Sequence, residues 1–235
     1  MTEILFEDEW LLAVDKPAGL VVHPTYKNVS GTLLDTLRDR DANSRFFLLG
    51  RLDRLTSGVV IAAKTHNAYV ALQRTWPDVE KEYLAVVHGL VHPARGEIDL
   101  PLGTDPADRR RRVVRPDGAP SVTRFERLAH SDAAGLSLLC CRLLTGRRHQ
   151  IRVHLAARGW PIVGDAVYGR AFPGFARHAL HARRIGLVHP MSGAALWLEA
   201  PVPEDIVSLY PNSDTVVWRC ASKSALPPLN PCTFS

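Results

Sequence analysis

A short polar segment between two apolar runs constrains this chain more than any other stretch. The run 46–49 leads into Gly50-Arg51-Leu52-Asp53-Arg54-Leu55-Thr56-Ser57-Gly58, and the run 59–63 leads out of it. Apolar runs this short, bounded by turn residues, predict buried strands rather than helices. We therefore expect two buried strands with a charged turn between them.

The turn holds one carboxylate, Asp53, between Arg51 and Arg54. Nearby positive charge favours the ionised form of a carboxylic acid, so Asp53 is expected to be ionised. An ionised carboxylate suits a nucleophile or an electrostatic stabiliser better than a general acid. The alternative is an ordinary turn aspartate that forms salt bridges with its two neighbours.

The whole segment resembles the core motif of the RluA-type pseudouridine synthases, which usually reads His-Arg-Leu-Asp, two variable residues and then Thr-Ser-Gly. The matching positions are Arg51, Leu52, Asp53, Thr56, Ser57 and Gly58. Position 50 departs from the motif, because it is Gly where that family usually has His. Gly before Arg-Leu-Asp is a feature of the related RsuA-type branch, so the rest of the chain must decide the branch.

A second motif, residues 145–152, follows a predicted strand and reads Thr-Gly-Arg-Arg-His-Gln-Ile-Arg. It predicts a turn and then a helix, with Thr145 as a possible cap. The positive end of a helix disfavours cations, so Arg147 and Arg148 there indicate an anion nearby, either Asp53 or a phosphate. The segment resembles the Thr-Gly-Arg-x-His-Gln-x-Arg motif of the RluA branch. That resemblance implies an ion pair between Arg147 and Asp53, and an apolar contact of Ile151 with the target base.

The aromatic and β-branched run 81–87 predicts a strand. It resembles the Lys-x-Tyr motif of the same synthases, in which the tyrosine ring lies against the target base, and this assigns Tyr83 to the site. Without the resemblance, a core aromatic would be the better interpretation of Tyr83. The segment Lys16-Pro17-Ala18-Gly19 resembles the N-terminal signature of the same synthases. Further matches at 161–165, 168–169 and 180–182 follow in the expected order, and turn or packing roles explain these three at least equally well.

A loop rich in arginine, 109–115, lies between two prolines. Charge of a single sign repels itself unless an anion lies among the side chains, so Arg109, Arg110, Arg111 and Arg112 are predicted to contact an RNA phosphate backbone. Such contacts position RNA without reading its sequence. The alternative is a solvated surface loop.

Hydrophobic patterning predicts further strands at 4–6, 11–14, 96–102, 121–128, 136–144 and 195–200, and helices at 32–40, 67–76 and 203–209. The family resemblance implies an α+β fold with a mixed, mostly antiparallel central β-sheet flanked by helices and loops. We expect a catalytic domain over 1–210 and an irregular tail over 211–235. The resemblance begins near Met1, so no RNA-binding domain of the ribosomal protein S4 kind is expected ahead of it.

The composition is ordinary for a globular protein, with 46% hydrophobic residues in 235, and the formal charge of +5 is mild evidence for a polyanionic partner. No apolar run reaches the length of about 18 that a membrane span needs. The N-terminus is acidic where a targeting segment would be basic, so a soluble, intracellular, cytoplasmic monomer is expected. The spacing of the ten histidines predicts no metal site.

The resemblance therefore implies an RNA pseudouridine synthase, which isomerises specific uridines in tRNA or ribosomal RNA through a nucleophilic aspartate and base flipping, without a cofactor. The predicted catalytic residues are Asp53, Tyr83 and Arg147. The predicted RNA-binding or base-binding residues are Arg51, Arg54, Ile151, Arg109, Arg110, Arg111, Arg112, Arg148 and Gln150. Two alternatives stay open: a catalytically silent RNA-binding or assembly protein on the same scaffold, and a glycosidase or nucleosidase that uses Asp53.

Overall fold

The computed structural model describes residues 2–24, 29–41 and 45–210 of the chain. The proposed tail, 211–235, lies outside them. The strands are β1 (Glu3–Glu7), β2 (Leu11–Lys16), β3 (Phe47–Leu49), β4 (Ser57–Ala63), β5 (Glu80–His88), β6 (Arg95–Asp99), β7 (Leu102–Thr104), β8 (Arg112–Val114), β9 (Val122–Ser131), β10 (Leu136–Leu143), β11 (Leu180–Val188) and β12 (Ala195–Glu199). The α-helices are α1 (Leu33–Arg40), α2 (His66–Thr75), α3 (Gln150–Ala157) and α4 (Glu204–Val207), and a short 3₁₀ helix covers Trp76–Asp78.

The described strands form one ten-stranded sheet and a separate two-stranded sheet of β7 and β8. The large sheet runs β1-β2-β4-β11-β5-β10-β9-β6, with β3 paired to β4 and β12 paired to β11. The pairing between β4 and β11 is parallel and the other strand pairs are antiparallel. The predicted α+β fold with a mixed, mostly antiparallel sheet is confirmed.

The two runs that flank the polar segment form β3 and β4, as predicted. They pair antiparallel, with Phe47 opposite Ala63 and Leu49 opposite Ile61. Val59 and Ile61 pack in one core cluster, whereas Val60 and Ala62 pack in another, because alternate side chains of a strand point to opposite faces. The continuous apolar run of β4 therefore reflects burial on both faces.

The contact between β4 and β11 lies at the centre of the sheet. It joins Ser57 to His181 and Gly58 to Ala182, and beyond it β3 continues along β4 while β12 continues along β11. A Cβ atom on Gly58 would lie 2.2 Å from the carbonyl oxygen of Ala182, and the residue has φ +115°. Only glycine permits this approach, and the two strands diverge from it to leave a cleft.

The helices follow the predictions closely. Thr32 caps α1 through a capping box with Asp35, and Thr65 caps α2, which ends before Pro77. The longest described helix is the ten-residue α2, and no helix in the described ranges has both the length and the apolar character that a membrane crossing requires. The helices pack on the sheet and on its connecting loops, so that the site is built mainly from strand ends and turns.

Candidate active site

Asp53 lies in the turn between β3 and β4, and the N-terminal segment holds this turn in place. The backbone N–H of Thr56 donates to the carbonyl oxygen of Asp53 at 3.0 Å, which closes the turn. The carbonyl oxygen of Arg54 accepts from the N–H of Gly19 at 2.8 Å and from Nζ of Lys16 at 3.2 Å. Lys16 is fully buried and donates to two further carbonyls of its own segment. The Lys-Pro-x-Gly segment therefore braces the loop that carries the carboxylate.

Arg152 makes the ion pair with Asp53. Its Nη1 lies 2.8 Å from Oδ2 of the carboxylate, and its side chain is 6% exposed against 25% for Asp53. The prediction that Arg147 pairs with Asp53 was wrong, because Nε of Arg147 donates to the carbonyl oxygen of Pro120. The position at which α3 begins explains the difference. Arg147 lies in the exposed turn before the helix, whereas Arg152 projects from the buried first turn towards the carboxylate.

Asp165 orients Arg152, and sequence analysis assigned it no site role. Its two carboxylate oxygens accept from Nε and Nη2 of Arg152 at 2.7 and 2.8 Å, and the side chain is 1% exposed. Oδ1 also accepts from the backbone N–H groups of Val167 and Tyr168. A buried, two-point contact of this kind fixes the plane of a guanidinium. The signal was present in the 161–165 match, where Asp is the one charged residue.

His149 approaches the other oxygen of Asp53. It precedes α3 with φ +58°, unusual for a residue with a side chain, and its Nε2 lies 3.6 Å from Oδ1 of Asp53. Its Nδ1 lies 2.7 Å from the hydroxyl of Tyr168. Burial lowers the pKa of His149 to about 4, and the charges of Arg152 and Arg148 act in the same direction. The imidazole is therefore neutral at pH 7.

The pKa of Asp53 lies below its ordinary value. Burial raises it, but the charges of His149 and Arg152 and the hydrogen bond from Arg152 lower it by more. His149, with a pKa of about 4, carries charge only in the acid range where Asp53 would titrate, so Arg152 is the cation that acts on the carboxylate at pH 7. The neighbouring arginines from which ionisation was predicted, Arg51 and Arg54, are exposed, whereas Arg152 is buried beside the carboxylate.

An apolar cleft with a volume of about 140 Å³ opens beside Asp53, where β4 and β11 diverge. Tyr83 of β5 and Ile151 of α3 line this cleft together with Asp53. Burial, and to a smaller extent the charge of Asp53, raises the pKa of Tyr83 above its ordinary value, so the phenol is neutral. The structure thus brings together the predicted residues Asp53, Tyr83 and Ile151.

A wider, basic groove with a volume of about 950 Å³ also borders Asp53. The arginines along it are Arg51, Arg54, Arg110, Arg111, Arg147, Arg148 and Arg152. The groove and the cleft share Gly50, Arg51 and Asp53 among their lining residues. Asp53 therefore stands at the junction between a basic surface and an apolar recess.

The arginine loop contributes less positive charge than its sequence suggested. Three of its arginines form ion pairs with aspartates that flank the arginine run: Arg110 with Asp108 at 2.8 Å, Arg111 with Asp105 at 3.9 Å, and Arg115 with Asp117 at 2.6 Å. Arg109 and Arg112 are not among the described lining residues of the groove, and Nη1 of Arg112 donates to Oγ1 of Thr104 at 2.7 Å. Four phosphate contacts therefore stay a prediction, and the aspartates that flank the arginines, together with the contact of Arg112 with Thr104, favour fewer.

Gln150, predicted to bind RNA, is a structural residue. It is 2% exposed, and its Oε1 accepts from Oγ1 of Thr145 and from the N–H of Arg147, both at 2.9 Å. Its Nε2 donates to the carbonyl oxygen of Val122 and to Oγ1 of Thr123. All four hydrogen-bonding positions of the amide are filled, so none is free for RNA. Thr145 serves this network rather than capping α3, which begins at Gln150.

Two buried histidines support the Thr-Ser-Gly end of the turn. Oγ1 of Thr56 and Nε2 of His178 are 2.8 Å apart, and Oγ of Ser57 and Nδ1 of His181 are 3.0 Å apart. Burial lowers the pKa of His178 to about 4 and that of His181 to about 3, so both are neutral at pH 7. Within the described ranges, no group of three or more His, Cys, Asp or Glu residues is arranged to hold a metal ion.

Comparison with known proteins identifies the class. A family model described as RNA pseudouridylate synthase matches residues 10–157. The match covers more than half of the chain, and the chain belongs to that family of isomerases. The resemblance to the RluA-type synthases, drawn from the separate motifs, is thereby confirmed.

Individual relatives point the same way. The chain is 44% identical to the ribosomal large subunit pseudouridine synthase D of Xanthomonas campestris, over 88% of this chain and 67% of that protein. It is 41% identical to the protein of the same name from Nitrosomonas europaea, over 88% of this chain and 64% of the relative. The chain thus spans about two thirds of the length of these curated relatives. The solved structure of human RNA pseudouridylate synthase domain containing 1 superposes with a TM-score of 0.73 at 28% identity, covering 89% of this chain and 87% of the other.

Proposed function

We propose that this chain converts uridine to pseudouridine in the RNA of the large ribosomal subunit, with Asp53 as the reacting carboxylate. The observation that carries the proposal is the position of Asp53, ionised by Arg152, between an apolar cleft and a basic groove. The names of the curated relatives support ribosomal RNA over tRNA as the substrate. Such a substrate would place the reaction in the cytoplasm.

The reaction needs a group that can attack or stabilise a sugar carbon, and a proton donor would not serve this purpose. The bond between N1 of uracil and C1′ of ribose breaks, the base turns, C5 bonds to C1′, and the proton lost from C5 is balanced by one gained at N1. A carboxylate beside the ribose can attack or stabilise the oxocarbenium-like C1′, as it does in glycoside chemistry. An ion pair with Arg152 keeps Asp53 in the form that this role requires.

The neighbouring residues suit a flipped nucleotide. A stacked base must leave its helix before it can react, at a free-energy cost of a few kcal/mol. The apolar cleft can receive the uracil, with Tyr83 and Ile151 as its contacts. Arg51 is exposed at the mouth of both the cleft and the groove, where it can hold the opened RNA.

The remaining groove arginines contact phosphate in this proposal. Five arginines line the groove in addition to Arg51 and to Arg152, the ion-pair partner of Asp53. They are Arg54, Arg110, Arg111, Arg147 and Arg148. They supply the sequence-independent part of RNA affinity. Arg147 therefore has a binding role rather than the catalytic role that its motif position suggested.

The test is the appearance of pseudouridine in an unmodified transcript of large-subunit ribosomal RNA, with tRNA transcripts assayed in parallel. Asp53→Asn removes the carboxylate charge in a similar volume and is expected to abolish product while RNA affinity stays close to that of the unchanged chain. Asp39→Asn on the exposed face of α1 is the matched control, which should stay fully active.

Each rival function has its own outcome in this assay. A silent RNA-binding protein would bind the transcript and form no pseudouridine at all. A glycosidase or nucleosidase would release free uracil. Turnover by Asp53→Asn near that of the unchanged chain would refute the role of the carboxylate.

A further inference from the structure

Position 50 departs from the family motif, and the structure shows what fills the space there. Gly50 directly follows β3 and has φ +71°, and a Cβ atom on it would lie 2.8 Å from Cζ2 of Trp76. A separation this short does not occur for ordinary Cβ atoms, so any side chain at position 50 would displace the indole. Gly50 and Trp76 are therefore coupled: the small residue leaves room for the large one.

Trp76 belongs to the wall of the apolar cleft. It lines the same space as Asp53 and Tyr83, and its side chain is partly exposed. It begins the short 3₁₀ helix Trp76–Asp78 that follows α2. The indole is thus presented to the cleft from an ordered element and not from a free loop.

Lys81 holds the indole in place. Its Nζ donates to the carbonyl oxygens of Trp76 and Val79 at 3.1 and 3.0 Å, and lies 4.9 Å from the centroid of the indole ring. The cation and the two hydrogen bonds restrain the ring before any ligand arrives. A preordered aromatic surface loses little conformational entropy when a base packs against it.

We propose that Trp76 is a base-contacting residue, whose indole packs against the extruded uracil in the cleft and takes the place of the side chain that position 50 cannot carry. The proposal rests on the function proposed above for the cleft. Every nucleobase presents a π face, and an aromatic ring is the side chain that contacts it best. The contact would be made only once the base has left its stack and entered the cleft.

Tryptophan fluorescence tests this contact directly. The probe is a short stem-loop transcript that the unchanged chain modifies, compared with the same transcript lacking the target base but keeping its phosphates. In the Asp53→Asn background, where no turnover interferes, the intact transcript should quench fluorescence more than the abasic one. Trp76→Phe should lose this base-dependent quenching.

Trp10→Phe is the matched control, because Trp10 packs against the same core cluster as Trp76 but contacts His189 and does not line the cleft. It should keep the base-dependent quenching. Equal quenching in Trp76→Phe and in its parent would overturn the contact. Loss of product in Asp53→Asn is scored separately, so the inference about Trp76 can fail while the proposed function stands.

Kinetics provide a second, independent measurement. Trp76→Ala is expected to lower kcat/KM by about tenfold or more, within the range for loss of one base-aromatic contact, and Trp76→Phe should restore most of it. Gly50→Ala should impair the unchanged chain by displacing the indole, and impair the Trp76→Ala background less. An identical loss in both backgrounds would attribute the Gly50 effect to backbone strain alone and count against the inference.

Discussion

The guanidinium of Arg152 controls the ionisation of Asp53 and so the chemistry of the site. It bridges two carboxylates, Asp53 at the cleft and the buried Asp165 behind it. Breaking a buried pair leaves a charge without compensation, which is strongly destabilising. The arrangement therefore links the stability of the α3 region to the reactivity of a carboxylate almost 100 residues away in the chain.

Arg152→Gln is expected to move the acid limb of the pH-rate profile to higher pH. The pKa of Asp53 is lowered in the folded protein. Asp53 therefore stays ionised until the pH falls below the ordinary pKa of an aspartate, and activity is lost only below that pH. Removing the cation raises that pKa, and protonation then begins at a higher pH. We also expect kcat near neutral pH to fall by about a hundredfold. The measurement is kcat/KM against pH.

Two further variants separate charge from fold. Arg152→Lys keeps the cation but loses the two-point contact with Asp165, so its acid limb should stay near that of the unchanged chain although its rate falls. Arg147→Gln should weaken RNA binding and leave the acid limb in place. If the acid limb of the pH-rate profile shifted in Arg147→Gln and not in Arg152→Gln, the ion pair of Arg147 with Asp53 that the motif suggested would be correct.

At the scale of elements, the loop between β7 and β8 presents two arginines to the groove and directs others away. Arg110 and Arg111 line the groove, whereas Arg112 begins β8 and donates to Thr104. The aspartates of the loop neutralise part of its charge before RNA binds. The loop thus combines a modest electrostatic attraction with fixed geometry.

Replacing Arg110 and Arg111 together by Gln should make RNA binding less dependent on salt. Each phosphate contact contributes about 0.7 to 0.9 to the slope of log affinity against log salt, so the slope should change by at most about 1.8 units. The measurement is the affinity for the ribosomal RNA transcript over a series of salt concentrations. Replacing Arg109 and Arg112 together is the control with the same loss of formal charge. Equal slope changes in both double variants would show that net charge, and not position in the groove, determines binding.

At the scale of the whole molecule, the crossing of β4 and β11 determines whether a site exists at all. Asp53 precedes β4, Tyr83 lies on β5, and β11 separates these strands in the sheet. At Gly58 the backbones of β4 and β11 approach closely, and beyond this point the two strands diverge. The joining of the strands in one sheet and the cleft between them therefore both depend on this contact.

Gly58→Ala is expected to lower the free energy of unfolding by about 3 kcal/mol or more, from left-handed backbone strain and the clash with the carbonyl of Ala182. Gly135→Ala is the matched control, because Gly135 has φ +62° with nothing within 4 Å of the added Cβ, and it should cost only about 1 kcal/mol. Urea unfolding of both variants measures the difference. Similar losses would mean that the sheet can relax around a methyl group at position 58.

Much of the fold and part of the site were predictable from local patterns. The apolar runs on either side of the polar turn became β3 and β4, and the leucine-bearing segment 32–40 became α1. These predictions succeeded because burial and periodicity depend on residues close together in the chain. Asp53, Tyr83 and Ile151 line one cleft, and it was the resemblance of their motifs to a known family that suggested this.

The long-range contacts were decided by the tertiary structure. The partner of Asp53 is Arg152 and not Arg147, since the start of α3 determines which arginine is buried. Gln150 turned inward to close a turn, and Trp76 took the space above Gly50. The sequence by itself determined which residues can do chemistry and which strands can form. Their distances and charges depend on how strands far apart in the chain meet, and a pattern confined to neighbouring residues carries no information about that.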